Sequence, residues 1–288
     1  MQILFRLILV AMLPTTVWSV VWAAEKEKHS LQYRFQKGDV MEWNVQQSLR
    51  MTLSVQGKTE VTETVSRSTK IWTVLNVSED GVATFEYKVG NVHMKKSQTD
   101  RKDEQYDSRV DKEVPVAFIT LEGAIGVPLA ELSIDPLGEM KKKKVLSKYS
   151  GAYEENRIAI PLPKEPIAVG ERWSMETPME IRLAGDGTVK RVQATQRFTL
   201  DSVETGVAKI SFRTIILTPD LTPQLQSQII DKRLNGTLTL DLDNGRLISQ
   251  QTTVDEEVIG FQGGASRIHH LARFTECCCG LKSCEICQ

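Results

Sequence analysis

All five cysteines of this 288-residue chain fall in one C-terminal run, Cys277-Cys278-Cys279-Gly280-Leu281-Lys282-Ser283-Cys284-Glu285-Ile286-Cys287. Thiols at that density can form disulfides, crosslink a second molecule or bind a soft metal. Because five is odd, at least one thiol stays free or pairs with another molecule through an intermolecular disulfide. Cys284-x-x-Cys287 with an upstream cysteine could offer thiolates to Zn or Cu(I). A zinc knuckle, however, carries two spaced pairs, and the first three cysteines here have no spacing. Disulfide or crosslink is therefore the leading reading and metal the second. No other cofactor is implied.

The remaining candidates are weaker. No Gly-x-Ser-x-Gly elbow is present to raise a nucleophilic serine. His269 and His270 are adjacent, so on a strand they point to opposite faces and cannot share one metal. Asp135 and Asp243 stand in similar settings, Asp135-Pro136-Leu137-Gly138 and Asp243-Asn244-Gly245, where an aspartate caps a turn through its own backbone. That reading is better than a carboxylate pair, because acid and base need unlike environments. Lys141–Lys144 reads as a solvated face. Gly260-Phe261-Gln262-Gly263-Gly264 lacks the strand–turn–helix setting of a phosphate loop. The expectation is a protein without a catalytic constellation, with a hydrolase ranked last.

The elements that would carry these residues come from a motif written twice. Gly38-Asp39-Val40-Met41-Glu42-Trp43 matches Gly170-Glu171-Arg172-Trp173. Beyond each tryptophan, apolar residues alternate: Trp43, Val45, Leu49, Met51, Leu53 and Val55, then Trp173, Met175, Met179, Ile181 and Leu183. Period two predicts strands with one buried face. Trp72–Val77 followed by Gly81 corresponds to Phe198–Val203 followed by Gly206, and Leu132–Gly138 to Leu240–Gly245. The predicted fold is mainly β. Two tandem antiparallel modules, each a curved sheet, half-barrel or sandwich, are related by internal duplication, with few short helices.

Residues 30–150 and 167–275 are the expected modules, 151–166 a proline-rich linker and 276–288 a cysteine-rich tail. Lys95–Glu113 carries twelve charged residues in nineteen and reads as a solvated loop, while Pro223–Arg233 suggests a short helix. Residues 1–23 show Arg6, the apolar run Leu7–Leu13, then Val21 and Ala23 before charged sequence, the pattern of an export signal cleaved near Ala23. An uncleaved anchor is the alternative. Hydrophobic residues at 41% and charged residues at 25% exclude a disordered chain, and 36 Lys+Arg against 37 Asp+Glu gives no basis for nucleic-acid binding.

Leu31–Asp39 and Ile167–Trp173, with the export signal, resemble a family of uncharacterised exported bacterial proteins known as a domain of unknown function. The resemblance implies no activity and no site, and the cysteine-rich tail departs from it. The first functional expectation is an exported, non-catalytic binding or structural protein of the cell envelope, whose partner is an envelope protein or another unidentified ligand. The second is a carrier of an apolar ligand such as lipid, lined adaptably by Met41, Met51, Met94, Met140, Met175 and Met179. The third is a thiol-redox or metal-handling protein acting through the tail. Whether the apolar face of the Trp43–Val55 strand is covered discriminates core from site.

Overall fold

A computed structural model describes residues 26–149, 158–182 and 189–279; residues 1–23, where an export signal is expected, and Cys284 and Cys287 lie outside them. The chain opens with β1 (Lys28–His29), β2 (Val40–Val55), β3 (Lys58–Val77), β4 (Ala83–Gln98) and β5 (Glu104–Asp107). A 3-10 turn at Val116–Phe118 and helix α1 (Ile119–Glu122) lead to β6 (Ala130–Ile134), β7 (Met140–Val145) and β8 (Ile167–Ala168). Next come β9 (Arg172–Glu176), β10 (Met179–Arg182), β11 (Val189–Val192), β12 (Ala194–Glu204) and β13 (Val207–Ile216). Helix α2 (Pro223–Gln228) and a 3-10 turn at Ile230–Lys232 precede β14 (Asn235–Asp241), β15 (Arg246–Ile259) and β16 (Arg267–Cys278).

The fold is mainly β, as the period-two patterning predicts. One large antiparallel sheet runs β7-β6-β4-β3-β2-β16-β15-β14-β13-β12-β9, with β5 added beside β4. Neighbours in the first half follow the order β2-β3-β4-β6-β7 and those in the second β9-β12-β13-β14-β15; β16 joins β15 to β2. The sheet is open, not a closed barrel. A single buried cluster draws Trp43, Trp72 and Phe85 from the first half and Phe198, Ile210 and Leu240 from the second. Aromatic packing anchors each side of it: Trp72 stacks on Tyr87 at 4.5 Å between centroids, and Trp173 on Phe198 at 5.3 Å.

The repeated motifs make matching bonds. Gly38 N–H donates to Val74 O and Val74 N–H to Asp39 O; Gly170 N–H donates to Leu200 O and Leu200 N–H to Glu171 O. Both acidic side chains cap backwards, Asp39 accepting from Gln36 N–H and Glu171 from Ala168 N–H. The two paired turns clasp the incoming chain. Tyr33 N–H donates to Pro136 O and Arg34 N–H to Gly245 O. Gly138 must be glycine on two counts: its φ is +79°, and a Cβ would lie 2.1 Å from Ile160 O.

Residues 158–162 lie across the opening of the sheet. Leu162 N–H donates to Leu137 O beside β7, Trp173 on β9 donates its indole N–H to Pro161 O, and Ile160 N–H donates to the Tyr33 hydroxyl. Ile158, Ile160 and Leu162 are buried, so this strap supplies core.

Two local expectations are corrected. The charged stretch 95–113 is not one solvated loop, because β4 continues to Gln98 and Glu104–Asp107 returns as β5. Cross-strand hydrogen bonds and the buried Tyr106 outweigh its polarity there. In the second turn the capping carboxylate is Asp241, which accepts from Asp243 N–H and Asn244 N–H, whereas Asp135 itself caps the first. The residue just before Asn-Gly, Asp243, is two places too late. The suggested helix is present as α2, capped by Thr222 and started by Pro223, with Leu225 packed on Ile181 and Val192.

One buried tie in the sheet is ionic. Lys70 on β3 reaches across β2 to Glu276 on β16 at 2.5 Å, with side chains only 4% and 5% exposed, and its ammonium sits 4.9 Å from the Phe274 ring centroid. Removing one partner strands a buried charge. Lys70→Met or Glu276→Leu alone should therefore lower unfolding free energy by about 3–5 kcal/mol. The double variant should recover most of that loss in a chemical denaturation series, whereas additive losses would show that the pair is not coupled.

Candidate functional site

The core-bearing face of the long central strands continues past the core. β4, β3, β2, β16 and β15 contain 16, 20, 16, 12 and 14 residues, against 11, 10, 7 and 5 for β12, β13, β14 and β9. Along β2, Met41, Trp43 and Val45 are buried, but Leu49, Met51 and Leu53 on the same face are only half-buried. The discriminating strand thus divides: its lower half is core and its upper half is open.

Directly opposite residues of an antiparallel pair share a face, so the register defines what lies there. On β3 the positions beyond Lys70 are Ser68, Ser66, Thr64 and Thr62, opposite Val45, Gln47, Leu49 and Met51 of β2. On the other side they face Val92, Met94, Lys96 and Gln98 of β4. Small hydroxyl residues form a low floor, larger side chains form two walls, and the buried Lys70–Glu276 pair closes the lower end. The result is a groove about 20 Å long from Thr62 to Ser68, at about 3.3 Å per residue. Its β2 wall forgoes part of the roughly 1.5–3 kcal/mol that full burial of each Leu or Met would contribute.

Both flanks are covered. On β15, Val254 and Val258 are buried, as are Ile229 and Ile230 of the excursion between β13 and β14, whose 3-10 turn packs on β15 and β16. On the β4 side, Tyr106 lies opposite Met94 and stacks on Phe118, 6.3 Å between centroids. The open strip therefore lies between two excursions. Sequence reasoning picked out the β2 wall but made no reading of the floor residues Thr62, Thr64, Ser66 and Ser68.

Of the six methionines suggested as lining, the structure brings Met51 to this groove and Met94 to its β4 side, where Met94 also packs against the core. Met41 is core, Met175 packs against the core, Met179 joins the α2 cluster, and Met140 is exposed on edge strand β7. Gly38, Trp43, Gly170 and Trp173 are structural, holding strand starts and core. Asp135 accepts from two backbone N–H groups and pairs with Lys141 at 3.0 Å; burial opposes its ionisation, but these partners prevail and hold it below the usual carboxylate range. Asp243 is exposed, and its carbonyl oxygen accepts from Arg34.

His269 pairs with Asp255 at 2.7 Å on the outer face. On the groove-bearing face, burial pushes the His270 imidazole below its ordinary range, with His269 adding to that and Asp231 opposing it. Among the described residues no group of three or more His, Cys, Asp or Glu could hold a metal.

The expected tail is corrected in part. β16 runs through Cys278, so residues 276–278 belong to the body; Cys277 is 2% exposed and disulfide-bonded, while Cys278 is 5% exposed and carries a free thiol. Cys279 is free and exposed, its N–H donating to Glu42 O. A deletion from residue 276 would remove Glu276 and so could not leave the fold intact.

No protein-family model and no curated protein matches this chain. Among solved structures, the chain is similar to one described as lipid-protein interactions in lipovitellin, at 11% identity and a TM-score of 0.51, covering 86% of this chain. This chain spans 26% of the lipovitellin chain, and at that identity the likeness concerns the fold alone. The structure of DynF from the dynemicin biosynthesis pathway of Micromonospora chersina covers 92% of each chain at 6% identity, but its TM-score is 0.23 and nothing is built on it.

The thiol geometry is directly testable. Burial pushes the Cys278 thiol up to about 11, with Cys279 adding and Arg246 opposing. At pH 8 only about one molecule in a thousand then holds the reactive thiolate. Alkylation of folded protein followed by peptide mass mapping should label Cys279 and reach Cys278 only after unfolding. Equal labelling rates would contradict the packing of the β16 end.

Proposed function

We propose that this chain is a non-catalytic binding protein that carries an apolar ligand, such as a lipid, in the groove along β3, and that it does so after export to the cell envelope. The observation that carries the reading is the half-buried strip Leu49, Met51 and Leu53 on the core-bearing face, in which Leu49 and Met51 lie opposite Thr64 and Thr62 of the floor and Leu53 lies opposite Glu60. A core that merely stopped would end in polar residues. Here, past the exposed Gln47, apolar residues resume at Leu49, Met51 and Leu53, which are left only half-buried by protein contacts.

An apolar chain laid in the groove removes those side chains from water without displacing any protein element. Small side chains on the floor leave room for it. Met51 and Met94 adapt to chains of different shape. The likeness in fold to lipovitellin, a protein whose structure is described by its lipid interactions, agrees with this reading. Export rests on the pattern of residues 1–23 and on the resemblance of Leu31–Asp39 and Ile167–Trp173 to exported bacterial proteins.

Delipidated full-length protein should bind the neutral probe diphenylhexatriene at one site, and the double variant Leu49→Glu, Met51→Glu should lose at least about tenfold in affinity. That loss corresponds to about 1.4 kcal/mol or more. Because both side chains are half-exposed, melting temperature should change little. Unaltered probe binding by the well-folded variant would place the ligand elsewhere and overturn the reading.

A further inference from the structure

The mouth of the groove has an unbalanced charge. A cleft of about 340 Å³ opens at the β4–β5 hairpin, lined by Lys96, Gln98, Arg101, Lys102 and Glu104. Lys96 lies directly opposite Thr64 and Gln98 opposite Thr62, and those threonines are in turn opposite Leu49 and Met51. The cleft and the apolar wall are therefore level with each other, separated by one strand. At about 4.8 Å between neighbouring strands, the separation is about 10 Å.

We propose that this cleft seats the anionic head of the ligand whose chain lies in the groove, so that the natural ligand is an anionic amphiphile bearing a carboxylate or phosphate. The inference rests on the groove being a ligand site. Among the described residues, Lys96, Arg101 and Lys102 take part in no ion pair, although their neighbour Lys95 is held by Asp103 at 2.9 Å. The lining itself holds one carboxylate, Glu104; Glu60, which accepts from the Gln98 amide at 3.1 Å, and Asp100, next to Arg101 in the hairpin turn, lie outside it. Three cations against one carboxylate leave the lining net positive. An incoming oxyanion finds an arginine fork and two ammonium groups without having to break a pair first.

The hairpin tip that carries Arg101 and Lys102 is anchored to β3. Thr99 N–H donates to Val61 O at 3.0 Å, and Val61 N–H donates to the Thr99 hydroxyl at 2.8 Å. The second half of the sheet supplies a contrast. Its own cleft, lined by Thr214, Ile216, Arg233, Asn235 and Glu256, is about 270 Å³, and there Arg233 is already paired with Glu256 at 3.1 Å. Only the first cleft offers uncommitted cations beside an open apolar wall.

The test is displacement of diphenylhexatriene from delipidated full-length protein at low salt by palmitate, hexadecyl phosphate, hexadecanol and inorganic phosphate. Palmitate or hexadecyl phosphate should displace the probe at least about tenfold more tightly than hexadecanol. Whichever of the two is stronger identifies the head as carboxylate or phosphate. The triple variant Lys96→Gln, Arg101→Gln, Lys102→Gln should bring both anions to the level of hexadecanol and leave hexadecanol unchanged. Equal affinity of all three amphiphiles for the unaltered protein overturns the head site but leaves the groove standing. Failure of every amphiphile to displace the probe overturns the groove itself. Competition by inorganic phosphate as strong as that by hexadecyl phosphate overturns the amphiphile in favour of a free anion.

Discussion

The pairing of Lys70 with Glu276 is the constraint around which the rest is arranged. It links β3 to β16 across β2, and β16 is the strand that brings the second half of the chain against the first. A bond of this kind has little net worth compared with an apolar replacement, but a large cost when half is removed. Its effect is therefore on arrangement. With the two charges paired to each other and the ammonium over the Phe274 ring, the last strand is registered against β2 such that Cys278 lies opposite Trp43 and Glu276 opposite Val45. Any slip by one residue would turn Glu276 to the outer face and leave Lys70 alone in the core.

That same pair divides the sheet face into two compartments. Below it the side chains of both halves interlock around Trp72, Phe85 and Phe198. Above it, the strands run on without a counterpart to pack against, because the excursions from each half cover only their own flanks. A polar layer at the boundary keeps the groove from becoming a continuation of the core. A ligand of the proposed kind would leave the groove without uncovering the Trp72–Phe85–Phe198 cluster, so its occupancy would not be a condition of folding.

Much of this was legible in the chain. Alternation after Trp43 identified β2. Gly-Asp and Gly-Glu before the two tryptophans marked strand starts that make the same backbone bonds. What the sequence hid has one physical cause: contacts between residues far apart. Glu276 beside three cysteines looks like part of a tail, because nothing local reveals that Lys70, 206 positions away, waits for it. Asp135 was legible as a turn cap, but in the other turn Asp241 and Asp243 are equally plausible from spacing alone. The floor of the groove was invisible for a related reason. A serine–threonine face on a strand is written identically whether it meets solvent or lies between two walls, and only the partners opposite Thr62 and Thr64 decide which.

The open sheet also explains why the molecule is finished as it is. Its two end strands, β7 and β9, do not pair with each other, and unpaired edges invite association with other chains. At β7 the defence is charge: Lys141 to Lys144 are all exposed, with Lys141 bonded to Glu139 and Lys144 near Glu131. Between the ends, the strap at 158–162 hydrogen-bonds to both sides while burying its own apolar side chains. Closing the sheet into a barrel would satisfy those edges directly, but would draw β4 and β15 inward over the strip between them. Leaving the lower end strapped and the edges guarded keeps the long strands apart at their upper ends. The groove is thus a consequence of how the seam is sealed, not an addition to a fold complete without it.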